Sequence, residues 1–148
     1  MTISQLTTDD KKLISLWKYQ GDYAKFNYAI EENGWLDSYC KDECKYCFLA
    51  KIEDKILGLF LFIPENENEF RVLINPDFLN KGYGKKLTSK ALEIAFDTLA
   101  FHTVTLIVRQ DHPVAIGLYE KLGFKTSSEL IQNIEGEDIP FYKMQKSL

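Results

Sequence analysis

The chain has 148 residues, 45% hydrophobic and 14% aromatic, enough for one compact domain with a core of its own. Eighteen basic against 22 acidic side chains leave a net charge of −4, and the isoelectric point is near 5.2. That balance argues against nucleic-acid backbones and anionic membrane surfaces as partners, since both select a basic face.

The N-terminal "MTISQLTTDDKKL" lacks the apolar core of a signal peptide. The longest apolar run, residues 56 to 63, is too short to span a bilayer. Three cysteines is an odd number and does not suggest a closed disulfide framework. These features lead to the expectation of a reduced, cytoplasmic protein.

A short strand over residues 2 to 6 opens the chain. "TDDKKLISLWKYQG" predicts a helix capped by Thr8 or Asp9, with Leu13, Ile14 and Trp17 on one face and Gly21 as its stop. Tyr23, Phe26 and Ile30 recur at helical spacing and predict a second helix, whereas residues 33 to 44 read as irregular. Three strands follow. "KYCFLAKI" alternates, "KILGLFLFI" is continuously apolar, and "EFRVLI" is the third. Asp54-Lys55 turns the first into the second, and "PENENE" joins the second to the third.

After Pro76, "GKKLTSKALEIAFDTLA" places Leu87, Ala91, Ile94, Ala95 and Leu99 at helical spacing. "TVTLIVRQ" is a strand. "PVAIGLYEKLGF" is a short helix with Pro113 in its first turn and Gly123 as its stop. Strands near 125 to 134 and 138 to 146 close the chain, joined by "EGED". Pro140 suggests that the last one lies at an edge or is interrupted. The order is β-α-α-β-β-β-α-β-α-β-β, a mixed α/β domain occupying residues 1–148, without internal repeats or linkers.

Two stretches carry candidate chemistry. Cys40, Cys44 and Cys47 are spaced C-x3-C-x2-C, the spacing of the cluster-binding loop in radical-SAM enzymes. That loop follows the first strand of a partial βα barrel, for which this chain has neither the room nor the pattern. Strand geometry at Cys47 would not bring three sulfurs onto one cluster. A zinc site would need a fourth ligand, and His102 and His112 fall on distant elements. Free cysteines in or near the sheet and no bound metal are the simpler expectation; an iron–sulfur protein is the minor alternative.

The second stretch is "INPDFLNKGYGKKL". A strand ends at Ile74, Pro76 breaks it, and Lys81-Gly82-Tyr83-Gly84 leads into a long helix. Glycines let the backbone turn tightly and leave the amides open to a ligand. The first helical amides have no internal partner, and the helix dipole adds partial positive charge, so the corner suits a phosphate or pyrophosphate. Taken alone, such glycines also merely cap a helix. The spacing is neither a Walker A loop nor G-x-G-x-x-G, because Leu87 stands where the third glycine would be.

With "HPVAIGLYEKLGF" following one strand later, the chain resembles the GNAT family of acyl-CoA-dependent N-acetyltransferases. The resemblance covers the element order of the whole chain and the motifs of residues 72 to 124. The family's R/Q-x-x-G-x-G/A is matched by Leu79 to Gly84, with Leu79 in place of Arg or Gln. Its N-x-x-A-x-x-L-Y-E-K-x-G-F is matched at Ala115, Leu118, Tyr119, Glu120, Lys121, Gly123 and Phe124, with His112 in place of Asn.

The resemblance implies a central, mostly antiparallel sheet of six to seven strands, splayed in the middle and flanked by about four helices. It implies acetyl-CoA as co-substrate, with its pyrophosphate on Leu79, Asn80, Lys81, Gly82, Tyr83, Gly84 and Lys85. The pantetheine arm would meet the amides near Leu73 and Ile74, His112 and Tyr119. Tyr119 would act as general acid at the coenzyme A sulfur. Glu69 is the candidate general base, with Glu67 beside it. The acceptor would be a primary amine of a small molecule or peptide. Nucleic acid and membrane are not expected as partners, and a homodimer is possible. A non-catalytic acyl-CoA-binding module on the same fold is the alternative.

Overall fold

A computed structural model describes residues 1–31, 34–40 and 44–148. The elements are β1 (Thr2–Gln5), α1 (Thr8–Ile14), a 3₁₀ helix (Gly21–Ala29), α2 (Trp35–Tyr39), β2 (Cys47–Ile52), β3 (Lys55–Ile63), β4 (Glu69–Ile74), α3 (Tyr83–Glu93), a π turn (Ile94–Thr98), β5 (Thr103–Arg109), α4 (Pro113–Lys121), β6 (Lys125–Ile134) and β7 (Glu137–Ser147). The fold is mixed α/β, with seven strands hydrogen-bonded in the order β1-β2-β3-β4-β5-β7-β6. The pairs β1–β2, β2–β3, β5–β7 and β6–β7 are antiparallel. β4 and β5 run parallel and share one register pair, Glu69↔Thr105. Among the described residues, no helix is long and apolar enough to cross a membrane.

The strands are shared between two compact units, residues 1–62 with 72–87, and residues 63–71 with 88–148. In the first unit, β3 is buried from Leu57 to Phe62. Each Leu or Phe side chain so buried contributes roughly 1.5–3 kcal/mol. Phe60 stacks on Phe48 of β2 with ring centroids 5.0 Å apart. Gly58 interrupts the apolar run for a steric reason, because a Cβ there would lie 2.4 Å from the Leu73 carbonyl oxygen. The β2–β3 turn falls on Glu53-Asp54, with Glu53 at φ 56°, one residue earlier than expected.

Helix α1 starts one residue before the expected caps. Thr7 accepts from the Asp10 amide, and the Asp10 carboxylate accepts from the Thr7 amide, forming a capping box. The helix stops at Ile14 rather than at Gly21, because Ser15 turns its hydroxyl onto the Lys12 carbonyl at 2.6 Å. Gly21, at φ 57°, opens the next helix instead. That helix is 3₁₀, and the three-residue step from Tyr23 to Phe26 suits it as well as an α-helix. Where an irregular stretch was expected, Trp35–Tyr39 forms α2; residues 33 and 41–43 of that stretch lie outside the described residues.

The cysteines require a correction. Cys40, just past α2, and Cys47, at the start of β2, are both buried and joined as a disulfide with their Cα atoms 6.3 Å apart. Cys44 alone is free. The odd count misled because two cysteines pair and leave the third over, so it carries no argument for a reducing compartment. The bond also removes two of the three thiolates an iron–sulfur cluster would need. Among the described residues, no three His, Cys, Asp or Glu side chains are placed to hold a metal.

In the second unit, β5 buries Val104, Thr105, Leu106 and Val108, and β7 buries Met144 opposite Leu106. The β6–β7 hairpin turns at Glu135-Gly136, both at positive φ, the geometry that matches the strands' right-handed twist. Contrary to the expectation from Pro140, the uninterrupted β7 lies between β5 and β6. The β5 ladder ends at Arg109↔Phe141, one residue before Pro140, so on that side no ladder bond is lost to its missing N–H.

Candidate active site

The glycine loop lies in the first unit, and a single side chain begins it. Asn75 donates from Nδ2 to the Ile56 carbonyl at 2.8 Å and accepts the Asp77 amide on Oδ1 at 3.0 Å. Its own amide donates to the Leu57 carbonyl at 2.8 Å. One residue thus anchors the end of β4 and caps the 3₁₀ turn Pro76–Phe78. Leu79 is extended, and Asn80 and Gly82 are left-handed, with φ 61° and 81°. α3 begins at Tyr83.

Space for a ligand is present at this corner, since a Cβ on Gly82 would meet nothing within 4 Å. The amides of Tyr83, Gly84 and Lys85 belong to the first helical turn and have no acceptor inside the helix. Phe78 and Tyr83 pack edge to face at 5.6 Å. Lys81 lies over the first ring and Lys86 over the second, at 5.9 and 5.6 Å. First-turn amides flanked by lysines are suited to an anion, which the main chain would hold for the most part. The half-buried Leu79 side chain adds no charge to it.

Leu73 is buried and Ile74 half-buried at the end of β4. The Ile74 carbonyl accepts a hydrogen bond from the buried Tyr19 hydroxyl at 2.6 Å. Desolvation pushes the Tyr19 phenol above its ordinary value. Tyr23 likewise reaches the loop, its hydroxyl donating to Asn80 Oδ1 at 2.7 Å. Only the polar tips of these two aromatics hinted at such a role.

In the second unit, "LYEKLGF" folds as a Schellman motif. The Gly123 amide donates to the Glu120 carbonyl and the Phe124 amide to the Tyr119 carbonyl, both at 3.0 Å. Gly123 takes φ 99°, and Lys146 Nζ donates to the Leu122 carbonyl at 2.5 Å. The apolar contact that accompanies such a motif is here Phe124 against Tyr119, edge to face with centroids 5.8 Å apart. The stop signal of α4 therefore also orients the Tyr119 ring. No hydrogen-bond partner of the Tyr119 hydroxyl is found among the described residues. Desolvation pushes this phenol up to about 12, so it stays protonated at neutral pH. His112 is the N-cap of α4, and its carbonyl accepts the Ile116 amide at 3.2 Å.

Both carboxylates considered as a base are already engaged. Glu69 is buried, and its Oε2 accepts from Arg71 Nε at 2.7 Å. Glu67 accepts from Lys143 Nζ at 2.6 Å. The Glu69–Arg71 pair was legible in principle, because residues two apart on a strand share a face. Thr105 fixes the entry to β4 by donating toward the Asn66 and Glu67 carbonyls, each at 3.2 Å.

Residues 11–124 match the acetyltransferase (GNAT) family. Spermidine N(1)-acetyltransferase of Vibrio cholerae is 27% identical over 129 residues, covering 84% of this chain and 72% of that protein. Peptidyl-lysine N-acetyltransferase of Salmonella typhimurium is 24% identical over 139 residues, 92% of this chain and 90% of that one. Among solved structures, the V. cholerae spermidine N-acetyltransferase in complex with CoA and spermine is similar in fold, with a TM-score of 0.74 and 23% identity over 99% of this chain and 94% of that one. The chain belongs to the acetyltransferase (GNAT) family and is an acetyl-CoA-dependent N-acetyltransferase.

Proposed function

We propose that this chain, as a single catalytic domain, transfers the acetyl group of acetyl-CoA to a primary amine of a polyamine of the spermidine class. The similarity to spermidine acetyltransferases supports the acceptor. The observation that carries the site is the open corner at Gly82 in front of the first amides of α3. In this reading Leu79 to Lys85 hold the pyrophosphate through main-chain donors, while Leu73, Ile74, His112 and Tyr119 line the pantetheine arm.

Acetyl-CoA supplies an acyl group activated as a thioester. The amine nitrogen forms a bond to the acyl carbon, the carbon–sulfur bond breaks, and the nitrogen loses a proton. Tyr119 stabilises the leaving sulfur. Its phenol, at about 12, lies well above a thiol near 8.5, so hydrogen bonding to the thiolate contributes more than full proton transfer. Water is the base in this reading, because Glu69 and Glu67 are held in ion pairs.

The test is a thiol-release assay with spermidine, spermine and a lysine peptide at saturating acetyl-CoA. Turnover with the polyamines and not with the peptide is expected. A second reading, acetylation of protein lysine, is motivated by the peptidyl-lysine relative that matches nearly end to end; it wins if the peptide alone reacts. Silence with every amine alongside clear CoA binding would make the chain a binding module. A similar structure is dodecameric, and self-association of this chain is read by light scattering.

A further inference from the structure

We propose that Tyr23 is a positioning residue for the cofactor loop, acting through Asn80. Two phenols four residues apart reach opposite ends of residues 74 to 80. Tyr19 donates to the carbonyl of Ile74, where β4 ends, and Tyr23 donates to Oδ1 of Asn80, just before Lys81-Gly82. The segment that presents them is itself held. The Asn27 side chain accepts the Tyr19 amide at 2.8 Å and donates to the Tyr19 carbonyl at 3.1 Å. Asn80 is left-handed at φ 61°, a conformation that asparagine tolerates without being confined to it. The bond from Tyr23 selects that conformation, and with it the direction in which the amides after Gly82 point.

The inference rests on the reading that this loop holds the pyrophosphate. A loop that occupies its binding conformation only part of the time weakens apparent affinity by that fraction. Loss of one neutral hydrogen bond corresponds to roughly two- to tenfold.

Calorimetry with CoA and steady-state kinetics on Tyr23→Phe, Asn80→Gly and the double variant test it. Asn80→Gly keeps the left-handed backbone accessible and removes the acceptor. Each single variant is expected to raise the CoA Kd and the acetyl-CoA KM by roughly two- to tenfold, and Tyr23→Phe to keep kcat at saturation. The double variant is expected to be no worse than either single one. An unchanged KM in both single variants, additive losses, or a kcat of Tyr23→Phe that falls together with melting temperature overturns the proposal. Gly82→Val separates the two layers. If it binds CoA normally, the loop reading itself fails; if it loses CoA while Tyr23→Phe binds as the parent does, only the role of Tyr23 fails.

Discussion

Gly82 and Gly123 both sit at positive φ, in the two motifs that resemble the family, and they serve different ends. Gly82 faces open space, where an added Cβ would meet nothing within 4 Å, and the proposed reading uses that space for a ligand. A Cβ on Gly123 would come 2.7 Å from Lys146 Nζ, and its conformation closes a helix whose last turn carries a ring contact to Tyr119. One glycine exposes main chain, and the other aims a side chain. On the proposed reading, a main-chain receptor would tolerate a changed side chain, such as Leu79 in place of Arg or Gln. On the same reading, a side-chain donor such as Tyr119 would have no such tolerance, because removing its hydroxyl removes the function.

This contrast breaks most directly at Tyr119. Tyr119→Phe should lower kcat about a hundredfold, the lower range for a general acid, while the CoA Kd stays put. If Kd moves as far as kcat, the phenol binds cofactor rather than serving the leaving sulfur. Because burial raises this phenol to about 12, it remains protonated at alkaline pH. An unfolded tyrosine titrates near 10. Its contribution to stability is therefore constant below about pH 10 and is lost as pH rises toward 12. Denaturant midpoints at pH 9 and pH 11.5 should drop less in Tyr119→Phe than in the parent.

Next in size, Gly82→Val should weaken CoA about tenfold or more by adding a side chain over the amides and costing roughly 1–2 kcal/mol of left-handed strain. Kinetically it should appear in KM and not in kcat. Gly123→Ala should destabilise by a similar 1–2 kcal/mol and, unlike Gly82→Val, reduce kcat as the Tyr119 ring loses its setting. Smallest on activity is Glu69→Gln. It should lower thermal stability by removing the ion pair with Arg71, yet leave turnover near that of the parent. A loss of about a hundredfold, the size a general base supplies, would restore Glu69 to that role.

The sequence made the strands plain wherever one physical cause dominated. "KILGLFLFI" and "EFRVLI" match β3 and β4 residue for residue, because turn residues flank both and β3 is buried without a break from Leu57 onward. Helix α4 was equally plain, with Pro113 at its start and Gly123 at its stop. The N-terminal helices were not, since a side-chain cap at Ser15 outweighed the apolar spacing that carries on to Trp17. The π turn at Ile94–Thr98, with the Leu99 amide reaching the Ile94 carbonyl at 2.9 Å, has no signal in the residues that form it. Of the candidate site, the loop and Tyr119 could be named from spacing. The ion pair that occupies Glu69 and the phenols on Ile74 and Asn80 depend on which elements meet, which spacing does not encode.

The link between Cys40 and Cys47 has a practical reading. A maleimide added to denatured, unreduced protein should attach once, at Cys44, and three times after treatment with a phosphine. Mass spectrometry would then report, adduct by adduct, whether the junction between α2 and β2 was covalently closed in the cell from which the protein was taken.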